Sequence, residues 1–353
     1  MIKRIRLSLM AVMALAFALC VGVSPALADT TYTSVSGGTT TFENVLVVES
    51  DSTIPALDFT FNVTAGDAVA ASSGQTEILA GIDPDRITIT NEDFNGGETT
   101  TSGTPQNPSD ATKKYAKVPA TVNLNAVTFT APGIYRYKIR ENNASYAPGV
   151  TYDTRERYLD VYVVTNADNQ LYIGGYVLTN TEGSEKSVQF VNSIQTYDFE
   201  FTKAVTGNQA DKNKEFSFTL AIENANPGTY SVVIDGSGTT LEVGSDGKAT
   251  QVFNLKHGSD VKILGLNSGA KCKLTENQLD YTASYSIGGV VTSSHETTTI
   301  NLTNDTTVAF TNTREGTIPT GVIVTVAPFA IGILVFGALA LFLVSRRKRN
   351  DLS

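Results

Sequence analysis

Three polar side chains in the second half of the chain lie on the apolar faces of strand-like segments. Lys203, Glu276 and Asn312 each end a short alternating segment, at residues 199–203, 272–276 and 308–312. Side chains two residues apart in a strand lie on one face, so each of the three shares a face with the apolar residues before it. The pattern predicts that an amine, a carboxyl group and a carboxamide point into one core.

Together these groups could form a covalent crosslink. Burial lowers the pKa of a lysine and raises that of a glutamate, so the amine becomes a nucleophile and the carboxyl group a proton donor. We predict that the Lys203 amine attacks the Asn312 carboxamide, that Glu276 acts as proton shuttle, and that ammonia leaves. The alternative is that each side chain lies at a strand end with its polar group in water, because burying a lone charge is costly.

The segments that would position these residues predict an all-β fold. Between residues 31 and 316, short runs rich in Val, Ile, Thr, Tyr and Phe alternate with period two and are separated by Gly, Asn, Asp and Pro. We therefore predict two related β-sandwich domains in tandem, at residues 29–194 and 195–315. The weak internal repeat behind this division matches residues 58–61, 133–141 and 188–192 with residues 215–218, 269–276 and 308–312.

Both ends of the chain predict export and processing. Residues 1–28 combine a basic start, an apolar run and a small-residue end, which is typical of a cleaved signal peptide. A lipoprotein signal ending at Cys20 is the alternative, but bulky residues precede that cysteine. Near the other end, residues 322–344 form an uncharged segment long enough to span a membrane, and basic residues 346–349 follow it.

Composition excludes several function classes. The 353 residues carry a net charge of -9 and much of the basic charge lies at the two ends, which excludes nucleic-acid binding. Once the signal is removed, Cys272 is the only cysteine, so we predict no internal disulfide and a small buried side chain there. His257 and His295 have no partners at metal-ligand spacing. We predict no metal site and no cofactor.

The residues just before the apolar segment resemble a known processing signal. Ile318, Pro319, Thr320 and Gly321 precede the span and the basic tail, an order similar to the sorting signal of proteins that sortases attach to Gram-positive cell walls. The resemblance implies that residues 316–353 are a sorting signal with transient membrane anchoring. It also implies cleavage between Thr320 and Gly321, with transfer of the Thr320 carbonyl to an amine. A plain single-span membrane protein is the alternative.

The motifs around the three core residues resemble those of streptococcal major pilins. Residues 201–207, 274–276 and 310–312 are similar to pilin segments that carry a lysine, a glutamate and an asparagine, and residues 132–135 and 148–154 extend the resemblance into the first half. The resemblance implies two immunoglobulin-like domains, each with an isopeptide site that needs no cofactor. In the second half this site is Lys203, Glu276 and Asn312.

The first half departs from the pilin pattern at the lysine. Glu141 and Asn192 fall on the glutamate and asparagine positions, but Glu43 occupies the place of the lysine, and no lysine occurs between Asp29 and Lys113. We therefore predict no conventional isopeptide bond in the first domain. Two alternatives remain for Glu43: it neighbours Glu141, which would require one of the two to stay protonated, or a register slip exposes it.

The resemblance implies a pilus backbone subunit at the cell surface. Its partners would be sortase, neighbouring subunits, minor pilins, peptidoglycan and possible host-surface ligands. Lys186 is the candidate acceptor for the Thr320 carbonyl, an ordinary surface lysine is an equal alternative, and Lys113, Lys114 and Lys117 compete. A wall-anchored adhesin or pilus-tip protein displayed singly is the alternative function. A secreted enzyme is disfavoured because no His, Cys or Ser constellation converges.

Overall fold

The computed structural model describes residues 32–142, 147–180, 186 and 189–316. Within these ranges the chain folds into strands without α-helices, and its one helical turn is a short 3₁₀ helix at Pro84–Arg86. The predicted all-β fold is therefore confirmed. The segments predicted to be a signal peptide, a sortase motif and a membrane span lie outside the described residues. Among the described residues, no helix has the length and apolar character that crossing a bilayer requires.

The N-terminal half, up to Ile194, forms two main sheets and a two-stranded ribbon. One sheet has the order β10-β13-β2-β7-β5, with β6 also on β7, and the other has the order β12-β11-β9-β3, with β4 also on β9. The ribbon pairs β1 with β8. The strands are β1 (Val35–Ser36), β2 (Thr39–Glu49), β3 (Thr60–Ala65), β4 (Leu79–Ala80), β5 (Thr88–Asn91), β6 (Thr101–Ser102), β7 (Lys113–Asn123), β8 (Thr128–Phe129), β9 (Gly133–Asn142), β10 (Val150–Thr151), β11 (Arg157–Thr165), β12 (Leu171–Asn180) and β13 (Gln189–Ile194).

The C-terminal half, from Thr196, forms two further sheets that share no strand with the first. A seven-stranded sheet has the order β17-β16-β19-β14-β24-β21-β22, and a four-stranded sheet has the order β18-β15-β20-β23. The strands are β14 (Thr196–Thr206), β15 (Phe216–Glu223), β16 (Gly228–Ile234), β17 (Ser237–Val243), β18 (Ala249–Leu255), β19 (Asp260–Asn267), β20 (Lys271–Glu276), β21 (Thr282–Ile287), β22 (Val290–Thr292), β23 (Ile300–Asn301) and β24 (Thr306–Thr313).

Alternating strands place a dense aromatic core between the C-terminal sheets. From Phe199 onward in β14, and throughout β15, every second residue is buried, which is the pattern of strands with one face against a core. Phe201 of β14 packs on Phe218 of β15, with ring centroids 5.7 Å apart, and Phe218 packs edge-on against Phe310 of β24 at 5.1 Å. This core forms the surroundings of the polar residues that share its faces.

In each half, the first long strand and the last strand are parallel neighbours. β2 pairs with β13 in the N-terminal half, and β14 pairs with β24 in the C-terminal half. Because the rest of each half lies between these strands in sequence, a bond between them would join the start of the half to its end. This shared topology positions both sites described below.

Direct polar contacts join the two halves. Ser52 and Thr196 share a buried hydrogen bond of 2.9 Å between their hydroxyl oxygens, and the Ala56 N–H donates to the Pro227 carbonyl at 2.8 Å. Gly265 has a positive φ of 71° and lies so close to Ser52 that a Cβ at this position would collide with it. The two halves are therefore held together by the close packing of Ser52 against Gly265 as well as by the covalent link through Gln195.

Candidate crosslinking site

Strand register brings Lys203 and Asn312 to one face of the seven-stranded sheet. Lys203 lies opposite Phe310 in the parallel pair of β14 and β24, and Asn312 lies opposite Val205, two residues further along. A two-residue offset keeps both side chains on the same face. Glu276 ends β20 in the facing sheet, opposite Phe218 of β15. The three residues that the sequence predicts to point into one core thus meet between the two sheets.

Lys203 and Glu276 form a fully buried ion pair. The Lys203 Nζ atom lies 2.6 Å from the Glu276 Oε1 atom, and both side chains have 0% exposure. The Lys203 amine also lies 4.3 Å from the ring centroid of Phe216 and 5.7 Å from that of Phe218. The charged groups are therefore enclosed by aromatic side chains and not by water, a setting in which single ionised groups are strongly disfavoured.

The polar atoms of this site lack hydrogen bonds of normal geometry. Among the described residues, Lys203 Nζ, both Glu276 carboxyl oxygens and both Asn312 carboxamide atoms are buried without a hydrogen-bond partner. The short contact between Lys203 and Glu276 satisfies the distance of an ion pair but not the angles of a hydrogen bond. An unpaired buried polar atom costs about 1–3 kcal/mol. A reaction that removes some of these polar atoms would relieve that cost.

Burial shifts both titrating groups toward their neutral forms. Desolvation lowers the pKa of Lys203 to about 8, against the opposing attraction of Glu276. Desolvation likewise raises the pKa of Glu276, although Lys203 and the nearby Asn312 carboxamide favour its charged form. The lowered pKa of Lys203 increases the fraction of these side chains that carry a neutral, nucleophilic amine at neutral pH. The site can therefore supply both a nucleophile and a proton donor.

The N-terminal half contains a second polar site with the same strand register. Asn44 of β2 lies opposite Phe190 of β13, and Asn192 lies two residues further along, opposite Leu46. Glu141 of β9 lies opposite Phe61 of β3, as Glu276 lies opposite Phe218. Asn44 and Asn192 are 0% exposed and Glu141 is 5% exposed. Asn44 therefore occupies the position that Lys203 occupies in the C-terminal half.

Hydrogen bonds link the members of this second site. Asn192 Nδ2 donates to Asn44 Oδ1 at 3.0 Å and to Glu141 Oε1 at 2.9 Å. The Asp153 N–H donates to Asn192 Oδ1 at 2.7 Å and, more weakly, to Glu141 Oε2 at 3.2 Å. Desolvation raises the pKa of Glu141 to about 7, with a further contribution from the charge of Asp153 and opposed by the Asn192 hydrogen bond. The carboxyl group is thus substantially protonated at neutral pH.

Asp153 and Arg157 are site residues that the sequence reasoning missed. Their side chains are 1% and 2% exposed and form an ion pair with Arg157 Nη2 3.0 Å from Asp153 Oδ2. Asp153 Oδ2 also accepts the Val191 N–H at 3.0 Å, and Arg157 donates to the Gln189 carbonyl at 3.2 Å. Both residues thus fasten β13 to the loop before β11. The alternation of β11 carried a signal, because Arg157 shares its face with Leu159, Val161 and Val163, which are all apolar.

The placement of Glu43 in the first-half site is wrong. Its side chain is 41% exposed and lies 2.8 Å from Lys117, and Gln189 donates a hydrogen bond to it. The structure supports the alternative in which the strand register exposes Glu43, because its neighbour Asn44 shares the inward face of Phe42. Glu43 and Glu141 therefore do not face each other, and no proton has to be shared between them.

The remaining candidates have ordinary surroundings. Lys186 is exposed and pairs with Thr179 of β12 through a single β-bridge. Among its competitors, Lys113 contacts Glu49 and Lys117 contacts Glu43, while burial lowers the pKa of Lys114. Ile318, Pro319, Thr320 and Gly321 lie outside the described residues.

Cys272 and the histidines supply no further chemistry to the site. Cys272 is buried, and desolvation raises the pKa of its thiol to about 12, which opposes thiolate formation. The Nδ1 atom of His257 accepts a hydrogen bond from the Val205 N–H, and the His295 carbonyl accepts one from the Glu276 N–H. Within the described ranges no cluster of His, Cys, Asp or Glu has the arrangement of a metal site.

Comparison with known proteins points to one family. Residues 41–195 match the family described as a Spy0128-like isopeptide containing domain, and residues 197–314 match a domain of unknown function (DUF7601). In fold, the chain is similar to the crystal structure of the major pilin from Streptococcus pyogenes, with a TM-score of 0.56 and 24% identity over 80% of this chain and 100% of that one.

Two curated proteins of Streptococcus pyogenes are similar in sequence. The pilus tip adhesin Cpa is 35% identical over 127 residues, which cover 36% of this chain and 18% of the adhesin. A pilin of serotype M1 is 30% identical over 328 residues, which cover 87% of this chain and 90% of that pilin. The chain therefore belongs to the pilin family, whose members are structural subunits of cell-surface pili.

Proposed function

We propose that this chain is a tension-bearing pilus subunit whose C-terminal half is closed by an intramolecular amide between Lys203 and Asn312. The observation that carries the proposal is the fully buried Lys203–Glu276 pair, 2.6 Å apart, with Asn312 on the neighbouring parallel strand in the matching register. In the same proposal, residues 29–194 and 195–315 form separate domains. The protein is not a multiple-turnover enzyme, because the reaction consumes its own side chains once.

The proposed reaction needs no external reagent. A proton passes from the Lys203 amine to Glu276, and the neutral Nζ atom attacks the Cγ atom of Asn312. The new Nζ–Cγ bond forms and the Cγ–Nδ2 bond breaks, while Glu276 gives its proton to the departing nitrogen and takes the second proton from Nζ, so that ammonia leaves and Glu276 ends protonated. The product is a neutral secondary amide. The Lys203 amine and the Asn312 carboxamide, whose polar atoms are buried without hydrogen-bond partners, are thereby replaced by one amide.

The bond would protect the C-terminal half from extension under load. Tension that enters at Lys203 would pass through the amide to Asn312 and would bypass residues 204–311. Without the bond, those residues could extend by about 370 Å at roughly 3.4 Å per residue. Because breaking an amide is required before this extension, the half stays closed under forces that unfold domains held by hydrogen bonds alone.

Sortase polymerisation completes the proposal. Cleavage after Thr320 and transfer of its carbonyl to an amine of the next subunit would build a covalent shaft. We assign Lys186 as the acceptor because it is exposed. Of its competitors, Lys113 and Lys117 contact carboxylates and Lys114 is half-buried. The same reaction would join minor pilins and, at the base, peptidoglycan. Processing would place the subunit in the cell wall after signal cleavage at Ala28. A host-surface ligand is an additional partner of the assembled pilus.

Intact-mass measurement of a recombinant chain from Asp29 to Thr320 tests the crosslink. We expect a deficit of one ammonia in the wild type and the full mass in Lys203→Ala, Glu276→Ala and Asn312→Ala. Tandem mass spectrometry of a digest should identify one branched peptide containing Lys203 and Asn312. Lys256→Ala is the matched control, because Lys256 forms a surface ion pair with Glu215 and should leave the deficit unchanged. A wild-type chain of full mass would refute the proposal.

Incubation of the chain carrying its sorting motif with a pilus-type sortase tests polymerisation. We expect ladders that resist SDS and that disappear in Lys186→Ala but persist in Lys114→Ala. Ladders that persist in Lys186→Ala would refute this acceptor. The complete absence of ladders would favour a protein displayed singly, such as a tip protein, a possibility that the partial match to the tip adhesin supports.

A further inference from the structure

We propose that the N-terminal half retains an isopeptide site that lacks only its lysine, because Asn44 occupies the lysine position. The acid Glu141, the carboxamide of Asn192 and an N–H group that donates to the carboxamide oxygen are all present. The inference rests on the chemistry proposed for Lys203, Glu276 and Asn312. It concerns different residues, and it assigns to the first domain a latent activity that a single amine would restore.

Register identifies Asn44 as the position of the missing amine. The residue pairs Asn44–Phe190 and Leu46–Asn192 in β2 and β13 repeat the pairs Lys203–Phe310 and Val205–Asn312 in β14 and β24. Asn192 Nδ2 already donates a hydrogen bond to Asn44 Oδ1 at 3.0 Å. A side chain starting at residue 44 therefore reaches the reacting group, whereas one starting at Glu43 leaves the opposite face of the strand and enters solvent.

The carboxyl group of Glu141 already contacts the Asn192 nitrogen that would leave. Glu141 Oε1 lies 2.9 Å from Asn192 Nδ2, which is the atom that would depart as ammonia. Burial raises the pKa of this carboxyl group to about 7, so that a substantial fraction is protonated at neutral pH. Glu141 can therefore donate a proton to the leaving nitrogen and take one from the attacking amine, the two transfers assigned to Glu276 in the C-terminal half.

The carbonyl oxygen of Asn192 has a hydrogen-bond donor that Asn312 lacks. The Asp153 N–H lies 2.7 Å from Asn192 Oδ1, whereas Asn312 Oδ1 has no hydrogen-bond partner among the described residues. A backbone N–H aimed at a carboxamide oxygen stabilises the negative charge that develops there during attack. Arg157 and the Val191 N–H hold the side chain of Asp153, which fixes the position of its backbone. The N-terminal carboxamide is thus already polarised for attack.

The restored reaction balances without any external reagent. An amine introduced at position 44 attacks the Asn192 Cγ atom, the new N–Cγ bond forms, and the Cγ–Nδ2 bond breaks. One proton passes from the amine through Glu141 to Nδ2, and one ammonia leaves. The product would tie β2 to β13, the first long strand and the last strand of the half.

Intact mass and peptide mapping of the chain from Asp29 to Thr320 test the inference with Asn44→Lys. We expect this variant to lose one ammonia more than the wild type and to yield a branched peptide that joins residues 44 and 192. The matched control is Glu43→Lys, one residue away on the exposed face, which should lose no additional ammonia. The double variant Asn44→Lys with Glu141→Gln should fold and should also lose no additional ammonia.

The outcomes separate this inference from the proposed function. A folded Asn44→Lys chain with only the wild-type deficit would overturn the inference and leave the Lys203–Asn312 bond intact. An additional loss in Glu43→Lys would overturn the assignment of the register. If Asn44→Lys does not fold, the same masses are measured in Asn44→Lys with Phe61→Leu, which makes room beside Glu141. Failure of both variants to fold would also overturn the inference, because the site would then be unable to hold an amine.

Discussion

Replacing Glu141 by glutamine should remove a pH dependence from the stability of the N-terminal half. Burial raises the pKa of Glu141 from 4.5 to about 7, so the folded state binds a proton that the unfolded state releases. Because the folded pKa is the higher one, this stabilisation is complete below pH 4.5 and is lost as the pH rises through about 7. The difference between the folded and unfolded pKa values corresponds to about 3 kcal/mol. Solvent screens little of this energy because Glu141 is only 5% exposed.

Differential scanning calorimetry between about pH 5 and pH 8 measures this effect. About 2.5 kcal/mol of this contribution is lost between pH 5 and pH 8. At ~2–4 °C per kcal/mol for a unit of this size, the wild-type transition of the N-terminal half should fall by about 5–10 °C across the range relative to Glu141→Gln. Asp153 does not interfere: burial would raise its pKa, but Arg155, the Val191 N–H and Arg157 together lower it, so it titrates below this window. Parallel curves for the wild type and Glu141→Gln would refute the argument from burial.

Three further predictions concern other parts of the molecule. Arg157→Met should lower the free energy of unfolding of the N-terminal half by about 1–3 kcal/mol, because it removes one of the two arginines that pair with the buried Asp153 carboxylate while Arg155 stays in place; Arg155→Met with Arg157→Met should cost more, and urea titrations of both variants measure the difference. Glu43→Ala should change stability by less than about 1 kcal/mol because it removes only an exposed pair, and a loss several times larger in the same titration would contradict the exposed placement. In single-molecule pulling, the C-terminal half should extend only in Lys203→Ala, and extension of the wild type at similar force would exclude a closed C-terminal half.

The C-terminal site was predictable because its strands have one buried face. The segments ending at Lys203, Glu276 and Asn312 alternate strictly between buried and partly exposed residues, so parity states which side chains point inward. The period-two alternation also predicted the all-β fold, and the resemblance of the motifs around these residues implied the pilin family. The sequence pattern could not predict the distances between these three residues, because the pairing of β14 with β24 joins residues more than a hundred positions apart in the chain.

The N-terminal site could not be placed from parity alone. β2 lies between β13 and β7 and is buried on both faces from Asn44 to Val48, so its apolar run has no alternation that fixes a register. Pairing with β13 decides that Asn44 points toward Asn192 and that Glu43 points toward Lys117. Phe42, two residues before Asn44, was the one local indication, because it lies in the core beside Phe190 at a ring distance of 5.1 Å.

The sequence by itself determined which residue types are available for chemistry, and the tertiary structure decided which of them meet. The alternation of the segments predicts that a lysine, a glutamate and an asparagine face the core, because side-chain direction in a strand repeats every two residues. The contact between Asp153 and Asn192, and the burial that keeps Glu141 protonated, depend on strands and loops far apart in the chain. Solvent exclusion arises only when both sheets pack, and for that reason the pKa values and the choice of Asn44 over Glu43 belong to the folded state alone.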